Sequence, residues 1–473
     1  MIEVPLLSSI TKELKNNLQK ELRKHSEESF GTVYYVNRSR IRDVAIYFHE
    51  KGARFINLMI NDLGDKFELI YEYYFKFLKD TSKFLFIITE VDKNVREMDS
   101  IEIIYPQALL IEKEIEKRYN ISFISFTEEI SEELFVSPSS IISEGFETNL
   151  FPIGIFGKIH QHNNYFLTQR DRYNIIQAVE LTSGWTYRGI TELMKRKNLF
   201  SDNLRLSKRI CVPSSYHHNL AYILAVEDLG NIKVDKRVNL IRTLLAEFER
   251  FESGILFFAN LFLLLGYKAK YYDLIKEQLG IKSFYQKNFK VKYLEDLNTI
   301  GSCINIDTQI LQNLIKFNQS SLSELLGSLY YYTDKSYVKK ICQNTVILEK
   351  RTALEIGVTG HCLRASGVNY DIRYEQPYLS YLERDIAKAW DVSLTTLGDT
   401  WGRIQVKLHD MKSSQQIIKV VLNKLVEDDS DIEALDLKKT KLPGNKIAIS
   451  QVESPSGGEL SYYLRAADRP VKK

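Results

Sequence analysis

Apolar residues fill nearly every position of one helical stretch in the middle of this chain. Leu220, Ile223 and Leu224 mark one face, and Ala221, Tyr222, Ala225 and Val226 the other, so the helix is expected to lie buried. Pro213 and the Ser214/Ser215 pair supply its start, because a serine oxygen can accept from a first-turn N–H, and Gly230 supplies its stop. A longer pattern begins after Asp235, a capping residue. Val238, Ile241, Leu245 and Phe248 recur at helical spacing, and past Glu252 the run is wholly apolar up to Gly266. Roughly 30 residues at ~1.5 Å each would carry this helix about 45 Å, across a domain core.

Ahead of these helices the pattern alternates. Residues 9–27 read as a charged surface helix or docking arm. From Thr32 a short strand (V-Y-Y-V), a helix over Ser39–Lys51, a strand over Phe55–Ile60, a turn at Leu63–Asp65, and apolar runs over Phe67–Tyr74 and Lys83–Glu90 predict a small α+β sandwich. A helix follows Pro106, where Glu112 and Glu116 against Lys113 and Lys117 read as surface charge pairs. Residues 126–150 are acidic, then serine-rich, as a connector would be. Tyr165, Leu167 and Tyr173–Ile176 predict a β hairpin. Residues 268–350 are helical, with Ile310, Leu311 and Leu314 on one stripe. Asp399 caps a last helix striped by Trp401, Ile404, Leu408, Met411, Ile418, Leu422 and Leu425, and two strands flank a Ser-Gly-Gly turn after it.

Composition narrows the function. The 473 residues suffice for two or three domains, and 44% hydrophobic with 26% charged content is that of an ordinary globular protein. A net charge of +3, with no arginine-rich stripe or aromatic-interleaved basic patch expected, does not support nucleic-acid binding. Cys211, Cys303, Cys342 and Cys362 include no C-x-x-C pair, so no zinc or iron–sulfur site is readable within the chain. Few cysteines and no readable signal peptide fit a reducing, cytosolic compartment. The most apolar run, Ile255–Gly266, is too short to span a bilayer.

The segment R-I-C-V-P-S-S-Y-H-H-N-L-A-Y, starting at Arg209, resembles the first nickel-binding segment of [NiFe] hydrogenase large subunits. Arg209, Cys211, His218, Ala221 and Tyr222 match, while Ser214 stands where the second cysteine belongs. A hydroxyl does not replace a bridging thiolate on a soft metal, so the resemblance argues for the fold and against nickel. The same large-subunit fold occurs without nickel in the quinone-reducing module of respiratory complex I. The most specific match is G-V-T-G-H-C-L-R-A-S-G-V-N-Y-D-I-R-Y-E-Q-P-Y, residues 357–378, in which Arg364, Asp371 and Arg373 could form a buried ionic lattice. The alternative is that these three shape a former active-site cavity. Dense glycines there imply positive φ or close backbone approach.

Other segments are similar to complex I in chain order. I-Y-P-Q-A-L-L-I-E-K-E-I-E-K-R-Y-N-I is similar to a signature of the small accessory subunit, which in some organisms is fused in front of the large one. Pro152, Ile153 and Gly154 match the large subunit's opening, whose hairpin in complex I carries a histidine that hydrogen-bonds quinone. Here His160 and His162 fall a few residues late. Tyr187-Arg188-Gly189-Ile190 stands on a further motif, and the pocket tyrosine of complex I falls near Leu199 or Phe200. Glu247, Arg250 and Gly266 agree with the long-helix motif, but Gly254 replaces its histidine and Leu264 its aspartate. Glu453, Pro455, Glu459 and Tyr463 stand near a C-terminal motif, and the chain reaches Lys473 before the second cysteine pair of a hydrogenase.

The expected architecture is α+β: a small N-terminal α/β sandwich over residues 1–130 resembling the accessory subunit, a linker over 131–150, and a mainly helical large-subunit-like domain with β hairpins over 151–473. The resemblance implies a subunit of a membrane-associated, complex-I-like or hydrogenase-like oxidoreductase that passes electrons from a partner's iron–sulfur cluster towards a quinone. The alternatives are a catalytically degenerate assembly subunit and, against the missing cysteines, a hydrogenase. Candidate catalytic residues are His160, His162, Tyr165 and Arg364. Cys211, His218, Asp371 and Arg373 are candidates to line a cofactor, with no metal held by this chain. Implied partners are a small iron–sulfur subunit and ion-translocating membrane-arm subunits, on the inner face of the cell membrane.

Overall fold

The computed structural model describes residues 22–28, 31–75, 84–125, 147–152, 165–182, 188–196, 200–428, 430, 432 and 446–466. Strand β1 (Leu22–Glu28), β2 (Gly31–Val36), β3 (Arg54–Asp62), β4 (Lys66–Tyr74) and β5 (Phe84–Asp92) form one sheet in the order β1-β2-β5-β4-β3, parallel between β2 and β5 and antiparallel elsewhere. The end of the expected 9–27 helix is therefore strand β1, where residues 22–28 pair with β2.

Alternation along β4 assigns its faces, as a pleated strand requires. Leu69, Tyr71 and Tyr73 join Val44 and Phe48 of the Ile41–Glu50 helix and Ile115 of the Ala108–Tyr119 helix in one core. Ile70 and Tyr74 face the other way and pack with Leu363, Val368, Tyr370, Ile372 and Ile449 from the distant C-terminal half. The sheet is thus covered on both sides. The Ala108–Tyr119 helix is less superficial than its charges suggest, since Glu112 is buried and accepts from Ser100 Oγ at 2.6 Å and Ile101 N–H at 3.0 Å. Only its outer face carries ion pairs, such as Lys113–Glu116.

Strands β6 (Glu97–Asp99) and β7 (Ser122–Ile124) pair in parallel beside this unit. Strand β8 (Glu147–Pro152) pairs with β9 (Tyr165–Arg170), which pairs with β10 (Ile176–Thr182). The predicted hairpin is present as β9–β10, and the last residues expected as linker belong instead to β8.

The helical half is built on Ser215–Leu229, Lys236–Leu264 and Thr400–Glu427. Every one of Leu220, Ala221, Tyr222, Ile223, Ala225 and Val226 is buried, as a helix apolar all round demands. It stops at Gly230 as expected, although Gly230 keeps a right-handed backbone and Asn231 takes the positive φ of 49°. Asp235 stands at the N-cap of the long helix without a side-chain cap bond, whereas Asp399 caps the last helix through Gly402 N–H at 2.7 Å. The Lys268–Phe289, Thr308–Phe317 and Ser323–Thr333 helices pack around the same core, and a two-residue bridge joins β11 (Asn298–Thr299) to β12 (Ser302–Cys303). Among the described residues no helix is long and apolar enough to cross a membrane.

The C-terminal hairpin, β13 (Ile447–Glu453) and β14 (Glu459–Arg465), is wedged between the two halves. Ser450 Oγ donates to the Ala221 carbonyl on one side. On the other, Tyr463 Oη and Arg465 Nη1 reach Glu68 at 2.8 and 2.6 Å, Arg54 pairs with Glu459, and Gln451 donates to Glu72. Burial pushes the Glu72 carboxyl up to about 8, reinforced by Glu459.

The hairpin turn meets the 357–378 block backbone to backbone. Gly360 and Gly457 have φ of +60° and +92°, and a Cβ on Gly457 would lie 2.7 Å from Gly360 Cα. Neither main chain can yield. Gly360→Ala is expected to lower stability by about 2–4 kcal/mol, from left-handed backbone strain plus the clash, measured as the denaturant midpoint of the purified chain.

Glu72 gives a second expectation. Because its folded pKa lies above the usual 4.5, its contribution is fully present below about pH 4.5 and is lost as pH rises through about 8. Glu72→Gln should flatten the decline in melting temperature across that window.

Candidate functional site

A lattice of buried charge lies where the long helix, the Thr400–Glu427 helix, the 357–378 block and β13 converge. In the 357–378 block, the short helix Gly360–Ala365 supplies Arg364, and Asp371 caps the next turn while accepting from Arg373 N–H at 2.9 Å. Arg364 Nη1 donates to Glu453 at 2.8 Å and to Asp371 at 3.3 Å, and its Nη2 donates to Asp410 at 2.7 Å. Arg373 holds Asp371 in a fork, Nε at 3.0 Å and Nη2 at 2.8 Å, and reaches Glu247 through Nη1 at 3.1 Å. Its guanidinium also stacks 4.4 Å over Trp390. Arg250 lies 3.3 Å from Glu247 and donates to the Glu453 and Ser454 carbonyls, both at 2.9 Å. Lys407 closes the set by donating to the Pro455 carbonyl at 2.6 Å.

Electrostatics in this buried region is set by competition between burial and pairing. Burial acts upward on Glu247, but Arg373 and Arg250 hold it at about 2. Asp371 is likewise held well below the ordinary carboxylate range, against burial, by Arg373 and Arg364. Glu453 goes the other way: burial, then the neighbouring Asp371, push it up to about 7. Burial brings Lys407 down to about 8. The anions and cations nearly cancel, which makes so much buried charge tolerable.

A second cluster adjoins the lattice at the N-terminus of the Ser215–Leu229 helix. Ser214, the expected cap, makes no side-chain cap bond. Instead Glu249 reaches across from the long helix and accepts from the N–H groups of Tyr216 at 2.8 Å and His217 at 3.0 Å. The carboxylate therefore meets two of the helix's free donors and its positive dipole end. His217 Nε2 lies 3.2 Å from Arg250 Nη2. A guanidinium has no acceptor, so Nε2 is unprotonated, and Nδ1 carries the proton and donates to Glu249 at 2.6 Å. Burial and Arg250 keep His217 neutral. Burial raises Glu249 to about 7 despite the two backbone bonds.

The candidate residues divide between these clusters and the periphery. Arg364, Asp371 and Arg373 are joined in the lattice, 2%, 1% and 2% exposed. Cys211 precedes the central helix, and its thiol is pushed up by burial. His218 lies in that helix's first turn, half-buried, and is lowered to about 4 by burial and by His217. The segments carrying Arg188 and Cys211 are joined by a 2.8 Å bond from Arg188 Nη2 to the Ile210 carbonyl. Tyr165 opens β9, its backbone opposite Pro152 and Thr182, with its side chain outside the description. His160, His162, Tyr187 and Leu199 lie outside the described residues, as does the side chain of Phe200.

The donor set around Cys211 does not fit a nickel site. Its neighbour Ser214 supplies a hydroxyl and spends its N–H on the Cys211 carbonyl at 3.2 Å. Separately from nickel, at Gly254, where the complex-I-like long-helix motif has histidine, a Cβ would come 2.5 Å from the sulfur of buried Met411. At the aspartate position Leu264 is largely exposed.

Sequence reading named the arginines and Asp371 but passed over His217, Glu249, Asp410 and Lys407 as site residues. One signal was available: Glu247, Glu249, Arg250 and Glu252 crowd the middle of a long helix whose apolar residues continue on both sides, and they stand on more than one face, so some of them had to be buried.

Arg364→Met should lower stability by about 3–5 kcal/mol by leaving three buried carboxylates short of a cation. The check is thermal unfolding, with Arg364→Lys giving little rescue because one ammonium cannot serve that fork.

Comparison with known proteins follows these elements. Residues 301–467 match the family model described as respiratory-chain NADH dehydrogenase, 49 Kd subunit. Arg364, Asp371, Arg373, Asp410 and Glu453 all fall within the match. The chain is 28% identical over 332 residues to a subunit of the NADH-quinone oxidoreductase of Thermosipho melanesiensis, covering 65% of this chain and 84% of that protein. It is also 28% identical over 316 residues to the corresponding subunit of the Dehalococcoides mccartyi NADH-quinone oxidoreductase, covering 63% and 80%. Its fold resembles a chain of the membrane-bound sulfane sulfur reductase, an archaeal respiratory membrane complex, with TM-score 0.60 and 22% identity over 69% of this chain and 86% of that one.

Proposed function

We propose that this complex-I-like oxidoreductase subunit is a fused accessory-plus-large subunit that takes part in passing electrons from a partner's iron–sulfur cluster towards a quinone. The observation that carries the reading is the coincidence of the family match with the charge lattice, since the matched segment contains Arg364, Asp371, Arg373, Asp410 and Glu453. The accessory-like unit is supported by the position of the 22–124 sheet and helices ahead of the helical half in one chain. The relatives named for NADH–quinone chemistry support quinone as the substrate class.

In this reading the lattice is a rigid floor and not a set of reacting groups. Its arginines are consumed by internal pairing, so their work is to hold the long helix, the 357–378 block and β13 in register. The proton donors to a reduced quinone would come from His160, His162 or Tyr165, because a donor must come within hydrogen-bond reach of the developing oxyanion. The chain would dock on a small iron–sulfur subunit and on membrane-arm subunits, peripheral on the inner face of the membrane.

A second reading, a catalytically degenerate assembly subunit, is favoured by the steric closure at Gly254 and by Leu264. A hydrogenase reading is opposed by Ser214 beside Cys211.

The deciding experiment is reduction of a quinone analogue by the native complex purified through this chain, with nickel quantified in the same sample. Turnover without nickel is expected. An intact, cluster-containing complex without turnover supports the assembly role, and stoichiometric nickel overturns the reading of Ser214.

A further inference from the structure

The Lys268–Phe289 helix buries Leu274, Ile281, Tyr285 and Phe289 against the core. Its outward face is a single stripe: Lys268, Tyr272, Lys276, Leu279 and Lys287 recur at spacings of three and four or their sums, and all are exposed, as is Lys290 at the C-cap. Tyr272 and Leu279 are 67% and 62% exposed. Asp273 and Glu277 lie to one flank, off the stripe.

Charge is concentrated here, in a basic, aromatic-interleaved stretch that corrects the expectation that the chain has none. Residues 268–292 hold seven lysines against two carboxylates, a surplus of five, whereas the whole chain's surplus is +3. The patch extends sideways onto the end of the Ser323–Thr333 helix and the turn after it. Tyr337 stacks edge-on with Tyr267 at 5.8 Å, Lys270 lies 4.4 Å over Tyr332, and Lys335 lies 3.6 Å over Tyr331. Tyr331 and Tyr337 remain 61% and 50% exposed.

We propose that this stripe is a docking surface for an anionic lipid bilayer. Lysine stems that extend along apolar surface with their heads in water, interleaved with tyrosine and leucine, match the boundary where headgroup charge meets acyl chain. The charge is carried by lysine alone, with no arginine between 268 and 292; nucleic-acid surfaces favour arginine's bidentate fork. The inference deepens the reading of the chain as a peripheral subunit of a membrane complex, by giving it a contact with lipid of its own.

The test is co-sedimentation of the purified full chain with vesicles of phosphatidylcholine alone, and of equal parts phosphatidylcholine and phosphatidylglycerol. Binding is expected only to the anionic vesicles, and it should weaken as salt rises. Each lysine near the surface is worth about fivefold in affinity, so the triple variant Lys268→Glu, Lys276→Glu, Lys287→Glu should lose at least about 100-fold with an unchanged melting temperature. Tyr272→Ala with Leu279→Ala should weaken binding while leaving its salt dependence intact.

Equal binding to neutral vesicles, no binding to either, an unaffected triple variant, or preferential capture of a labelled duplex oligonucleotide each overturns the proposal. Lipid binding by the isolated chain does not depend on electron transfer, so the outcome is separable from that of the quinone assay.

Discussion

The helical half depends on the pairing of three arginines with four carboxylates, all of them buried. Arg250, Arg364 and Arg373 face Glu247, Asp371, Asp410 and Glu453, drawn from two long helices, one loop-rich block and one strand. Apolar packing alone tolerates sliding and repacking. A fork of guanidinium bonds does not, because each misregistered partner would be left as a buried charge. The lattice therefore fixes how these elements meet, and the Gly360–Gly457 contact shows how closely they are drawn together.

The same logic joins the two halves of the chain. The sheet of β1–β5 turns Glu68 and Glu72 away from its own helices, and the C-terminal hairpin answers with Tyr463, Arg465, Gln451 and Ser461. Arg54 pairs with Glu459 and lies over the Tyr370 ring. A sheet whose second face carries carboxylates is incomplete without that hairpin, so the N-terminal unit and the helical half form one continuous structure across hundreds of intervening residues.

The site has an inert floor and a separate polar neighbour. Arg364 spends both terminal nitrogens and Arg373 its whole guanidinium on lattice carboxylates, whereas Glu249 and His217 form a hydrogen-bonded pair whose tautomer is dictated by Arg250. Burial favours the neutral imidazole that His217 keeps and pushes the Glu249 carboxyl up to about 7. The helix N-terminus and the adjacent guanidinium supply the compensation that lets Glu249 accept three bonds at once.

What the sequence determined by itself was what periodicity and local chemistry encode. The buried central helix, the long helix after Asp235, the Asp399 cap, the β9–β10 and β13–β14 hairpins and the run of strands from Thr32 all follow from spacings within a few turns. Arg364, Asp371 and Arg373 were legible as a lattice because three charges stood within ten residues of one another among glycines. Tertiary structure decided the rest. Residues 22–28 became a strand because an exposed edge of β2 was there to pair with, and Glu112 was buried by a loop carrying Ser100. Glu249 displaced Ser214 as the helix cap because a long helix brought its carboxylate to the N-terminus from more than thirty residues away. Partnership between distant charges depends on which backbones the fold brings together, and hydrophobic spacing carries no information about that.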